Sequence, residues 1–194
     1  MGLLVLGLVL FLGMHSVRIF AEGWRTRCIA RWGEMGWKGA YSVVSLIGFA
    51  LIVWGFAQAR LQPVVLWSPP AMLKHLNSLF TLAAFIGVAA AYVPRNRIRA
   101  RLHHPMILGV KLWAFGHLLA TGTLADLVLF GAFLLWAVLD FRAARRRDRA
   151  LGTVYAPGTM GPTVIAVLVS VLAWAVFAFW LHAAWIGVAP FPRG

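Results

Sequence analysis

Six histidines are the residues of this chain best equipped for chemistry: His15, His75, His103, His104, His117 and His182. Their surroundings separate them. His15 and His117 each fall inside a long apolar run, where a bare imidazole is unfavourable unless it is hydrogen-bonded or ligates something. Neutral imidazole is a good ligand for iron, zinc or copper, and two histidines facing each other across a helix bundle suit a haem iron. Plain structural hydrogen bonding explains the same placement, so both readings stay open. His103 and His104 directly precede Pro105 at the mouth of an apolar helix, where they can contact acidic lipid, a phosphate group or a cofactor. His75, beside Lys74, and His182 read as interfacial side chains.

Lys111 lies seven residues after His104 and shares its helix face, whereas His117 shares a face with Val110 and Trp113. A haem propionate, Asp126 or Asp140 are the candidate partners of Lys111. Gly109 and Gly116 allow close approach by a neighbouring helix or a flat ligand. Other chemistries find little support. The five acidic residues are scattered, and the single cysteine, Cys28, excludes an internal disulfide. There is no C-x-x-C-H for ordinary covalent haem attachment and no phosphate-binding or dinucleotide fingerprint.

These residues must be positioned by helices in a membrane. A 194-residue chain with 62% hydrophobic content and ten tryptophans exceeds the apolar share of a soluble domain. No alternating ten-residue pattern suggests a barrel, so the expected fold is all-α, a polytopic membrane bundle of about six spans forming one domain over 1–194. The spans are expected at about 2–20, 41–59, 76–93, 105–120, 124–141 and 162–188, with Pro105 at the first turn of the fourth and a tight turn at Thr121-Gly122-Thr123. The first span carries its charges after its apolar run and is read as a retained anchor. Residues 21–40 are expected to form a polar connection.

The net charge of +13 does not indicate nucleic acid, because the basic residues are confined to short segments between apolar runs. The first, third and fifth connections carry five, four and five Lys or Arg, against Arg60, Lys74 and Arg193 on the other side. The positive-inside rule then puts those connections in the cytoplasm and both termini on the periplasmic side. Depth complicates the histidine pair: His15 lies about 7.5 Å from the cytoplasmic end of its span and His117 about 18 Å from the corresponding end. They can share a cofactor only if the first helix continues past Phe20 towards Trp24, with Arg18 snorkelling, or if the cofactor is tilted.

The chain resembles the NnrU family of bacterial membrane proteins over nearly its whole length. The resemblance rests on His15-Ser-Val-Arg18 with residues 20–25, Tyr41-Ser-Val-Val-Ser-Leu-Ile-Gly48, Arg60-Leu-Gln-Pro-Val-Val-Leu-Trp67, and His104-Pro-Met-Ile-Leu-Gly-Val-Lys-Leu-Trp113 followed by His117. It implies a multi-pass inner-membrane protein linked to nitrite and nitric oxide reduction. The family is similar in turn to 15-cis-zeta-carotene isomerase, whose domain of this kind holds haem b. By that resemblance His15 and His117 would be axial ligands; Arg18, His104, Lys111 and Trp113 are the further candidate residues around the cofactor. Trp136 stands where the isomerase has a further histidine. Three roles follow as expectations: a haem b protein handling redox chemistry or nitric oxide, a haem-dependent isomerase of an apolar polyene, or a scaffold for membrane reductase subunits. A more distant likeness joins Leu102-His103-His104-Pro105 and Gly152-Thr-Val-Tyr155 to the isoprenylcysteine methyltransferase and sterol reductase group. The acidic residue that usually precedes the second motif is not found, which speaks against methyl transfer.

Overall fold

The computed structural model describes residues 1–191, so Arg193 lies outside the described residues. The chain is 82% helical with no strands among the described residues, an all-α bundle as the composition predicts. Helix α1 is Gly2–Phe20, and it ends where Ala21 leaves helical geometry at φ −136° and ψ 38°. Helix α2, Glu22–Ala59, is 38 residues long and broken once, at Gly33 with φ 74°. The stretch expected to be a polar connection is therefore mostly helical. Its charges recur at helical spacing, with Glu22 beside Arg25, and Glu34 beside Lys38 at 2.8 Å. Only glycine takes the positive φ of residue 33 without strain, and the reversal brings Trp24 edge-on to Trp37 at 5.6 Å.

Beyond that reversal, α2 runs back against α1. A Cβ on Gly7 would lie 2.6 Å from the backbone nitrogen of Ile52, so the two helices meet backbone to backbone at this position. Helices α3 (Ala71–Tyr92), α4 (Arg97–Leu102) and α5 (Pro105–Ala120) follow, with α5 antiparallel to α3. Ala84 packs on Gly109, and Asn77 and Phe80 pack on Gly116. Helix α6 spans Leu124–Leu151, and α7 (Met160–Val176) continues through a π turn at Phe177–Leu181 into α8 (His182–Ile186).

Helices α1, α2, α3, α6 and the α7–α8 rod are long and apolar enough to cross a membrane. Helix α5 has 16 residues, about 24 Å, and sits between α3 and α6. Where α1, α2, α5 and α6 meet, Leu4, Leu8, Ile52, Ala114, Ala125, Leu129 and Phe130 form the core. Apolar side chains such as Leu46 and Leu168 face outward, as lipid contact requires.

Helix α6 does not stop at residue 141. Its 28 residues reach about 42 Å, more than the roughly 30 Å of hydrocarbon, so the basic run from Arg142 to Arg149 continues it as helix beyond the apolar layer. Thr123 and Asp126 close its start in a reciprocal capping box, and Gly152 in the left-handed region ends it. The expected turn at residues 121–123 is thus a helix cap. The arginine-rich segments gather at one end of the bundle, here called the basic end: Arg147 reaches both the Arg18 carbonyl and Asp140, and the Arg95 carbonyl accepts from Thr159.

Candidate functional site

The two intramembrane imidazoles are satisfied by their own helices. His15 Nδ1–H donates to the Phe11 carbonyl at 2.7 Å, and His117 Nδ1–H donates to the Trp113 carbonyl at 2.8 Å. Each bond fixes the tautomer and leaves Nε2 as a bare acceptor. His15 stacks on Phe11 at 4.2 Å and meets Tyr41 and the edge of Trp136. His117 stacks on Phe130 at 4.5 Å. Beside His15, the Trp136 indole N–H is buried without a hydrogen-bond partner.

The donor chemistry of both imidazoles suits haem iron, but their placement as a facing pair does not. Helix α1 stops at Phe20, so the extension that would level their depths is missing. On α6, His15 is at Trp136 and His117 at Phe130, six residues or about 9 Å apart along the axis. The ground between is filled by rings in sequence: Phe11 meets Phe133 at 5.9 Å, Phe133 meets Trp113 at 5.4 Å, and Trp113 meets His117 at 5.4 Å. In this packing the two histidines do not enclose one iron. Trp113 is the last ring of this series before His117.

The other candidates separate likewise. Lys111 takes neither expected acid. Its ammonium sits 3.9 Å from the centre of the Phe141 ring, while Asp126 is held in the cap of α6 and Asp140 lies 3.8 Å from Arg147. Arg18 pairs loosely with Glu22 at 4.0 Å and remains 59% exposed. His182 donates to its own chain at Val188, away from both sites.

His104 is different, because it reaches across the fold. Its Nε2–H donates to Asp148 at 2.8 Å, and the Tyr155 hydroxyl donates to both oxygens of the same carboxylate at 3.2 and 3.1 Å. Arg145 adds a 3.5 Å ion pair with Asp148 and donates to His103 Nδ1. His103 in turn stacks flat on Tyr155, with ring centres 4.1 Å apart. Asp148 and His104 are 15% and 20% exposed, at the end of α6 that projects beyond the apolar layer. Four elements thus converge at the basic end: the α4–α5 turn, the start of α5, the end of α6 and the loop after it.

Local geometry explains why the turn can deliver both histidines. His103 has φ 66°, ψ −51°, and the His104 amide bonds the Leu102 carbonyl at 2.8 Å, which is a positive-φ γ-turn, a strained conformation for a residue with a side chain. The corner is anchored by Asn96, 1% exposed, whose amide donates to the Ala90 and Val93 carbonyls while its Oδ1 accepts from Arg99. Burial opposes ionisation of Asp148, but hydrogen bonds from His104 and Tyr155 and the charges of His104 and Arg145 outweigh it and hold the carboxyl below its ordinary 3.8. Burial first, then Asp148, pushes the Tyr155 phenol above 10, so it stays a donor. A carboxylate that orients an imidazole through one nitrogen leaves the other to move a proton.

Asp148, four residues before Gly152 and bonded to Tyr155, is not singled out by the sequence. Residues 3–190 match the family described as NnrU protein. The chain belongs to the NnrU family. No curated protein and no solved structure matches it. In this NnrU chain the match covers both histidine regions and nearly every element that positions them.

Proposed function

We propose that this NnrU-family protein is a bacterial inner-membrane protein that supports nitrite and nitric oxide reduction by binding a ligand at its basic, cytoplasmic end. The observation that carries this reading is the His104–Asp148 hydrogen bond at 2.8 Å, bridged by the Tyr155 hydroxyl. It joins residues 44 positions apart into one proton-handling and charge-bearing group. In a denitrifying host lacking its own copy, Asp148→Asn and His104→Gln are expected to lose anaerobic growth on nitrite while His15→Phe and His117→Phe retain it. The opposite pattern would overturn the reading.

A second reading keeps haem b within the bundle, at His15 alone. It is favoured by the bare Nε2 of His15 and the unpartnered indole N–H of Trp136 beside it. Bound there, haem would supply redox chemistry or nitric oxide capture, and His15 would hold it while Trp136 supplied a donor. Purified protein expressed with ample haem should then show a Soret band that disappears in His15→Ala and survives in His117→Ala; a spectrum without that band removes this reading. Polyene isomerisation and a scaffolding role for reductase subunits rest on the family resemblance alone.

A further inference from the structure

Beside the His104–Asp148 group lies a cavity of about 150 Å³ lined by Ala91, Arg99, His103, His104, Pro105, Met106 and Ile107. Its lining has two characters. Arg99, His103 and His104 supply polar groups, and Ala91, Met106 and Ile107, from α3 and the first turn of α5, supply apolar ones.

The polar lining is built from donors. Arg99 uses one guanidinium nitrogen on the Ala91 carbonyl at 3.1 Å, which fixes its position and leaves its other N–H groups free for a ligand. His103 accepts from Arg145 at Nδ1, so its proton is on Nε2. His104 donates from Nε2 to Asp148, which fixes its ring as well. The first intrahelical bond of α5 is Leu108 to His104, so the amides of Met106 and Ile107 precede it, beside the same cavity. Arg95 and Arg97 precede Arg99 on the same short segment, and Asp148, the acid bonded to His104, is already committed to His104, Tyr155 and Arg145. Positive potential combined with a fixed guanidinium selects an anion, and a forked donor suits a phosphate oxygen pair.

We infer that this cavity binds a phosphate group, through Arg99 and His103, with the apolar lining residues accommodating whatever carries it. The inference rests on the reading of the basic end as the ligand site and names the ligand class. Two sources present the same chemistry, the headgroup of an anionic lipid and a free phosphate, and the mixed lining is compatible with both.

The test uses the full chain in a neutral detergent, so it is independent of growth on nitrite. In one arm, inorganic phosphate is titrated against chloride at matched ionic strength and binding is read from thermal unfolding. In the other, native mass spectrometry follows adducts of dioleoyl phosphatidic acid, with dioleoylglycerol as the phosphate-free counterpart. Arg99→Gln is expected to weaken binding at least tenfold, and His103→Gln severalfold. Arg101→Gln, which removes an equal charge outside the lining, should leave it unchanged. Saturation by inorganic phosphate points to a free ligand, and retention of phosphatidic acid alone points to the headgroup; either supports the site. Binding to neither probe, equal retention of dioleoylglycerol, or equal losses in Arg99→Gln and Arg101→Gln would overturn it. If Arg99→Gln fails to fold, Arg99→Lys and His103→Gln take its place, and unchanged binding in both overturns the site.

Discussion

The two histidine regions solve the same problem in opposite ways. Inside the bundle, His15 and His117 each donate to the carbonyl four residues earlier, so their bonds add nothing to how the helices are arranged. At the basic end, His103 and His104 make bonds 42 to 51 residues away and tie α5 to α6 and to the loop holding Tyr155. The lesson is that position within lipid is a poor guide to which imidazole is engaged in a shared site. An isolated helix can satisfy a histidine by itself, whereas a group built from four elements exists only in the folded protein.

The largest expected effect comes from removing the centre of the second region. Asp148→Ala leaves His104, Tyr155 and Arg145 without their common acceptor and should destabilise the protein by about 2–3 kcal/mol, seen as a lower unfolding temperature in detergent. Acid should do the same to the unaltered protein. The carboxyl of Asp148 is lowered from 3.8, so its contribution is complete above that value and is lost as pH falls through the lowered one. Unfolding temperatures recorded from pH 6 to pH 2.5 should therefore fall less steeply in Asp148→Ala than in the parent.

Tyr155→Phe keeps the flat stacking on His103 and removes only the hydroxyl bonds, for a loss of about 1 kcal/mol. His117→Phe offers the sharpest contrast with these. If that imidazole only packs against Phe130 and Trp113, the change should stay within about 1 kcal/mol, because an aromatic ring of similar shape replaces it. A loss larger than that of Asp148→Ala would reverse the comparison. Smallest of all, Lys111→Met removes a single cation–ring contact with Phe141 and should lower stability by about 0.5 kcal/mol.

Much of the scaffold was legible in the sequence, for reasons that are local. Apolar runs of spanning length fix the long helices, Pro105 marks the start of α5, and the glycines foreseen as close-approach points do pack on Ala84 and Asn77. The stop of the first helix at Phe20 is equally local, since Ala21 leaves helical geometry there. What was not legible depends on distance along the chain. Asp148 sits in a run of arginines and reads as a lone solvated acid until folding brings His104 to it. Its position four residues before Gly152 was the available signal. Residues 21–40 are polar and yet helical, because Glu22, Arg25, Glu34 and Lys38 stand at helical spacing, a signal that polarity alone hides.

Helix α6 touches both regions. Phe130, Phe133 and Trp136 project from its membrane part, and Arg145 and Asp148 from its far end, with no break in helical geometry between them. An unbroken helix turns as a shaft. Any rotation that follows the loss or gain of a bond at Asp148 swings the three rings through the same angle and shifts what His15 and His117 rest against. The bundle and its projecting end are therefore joined by one continuous helix, although their histidines share no bond.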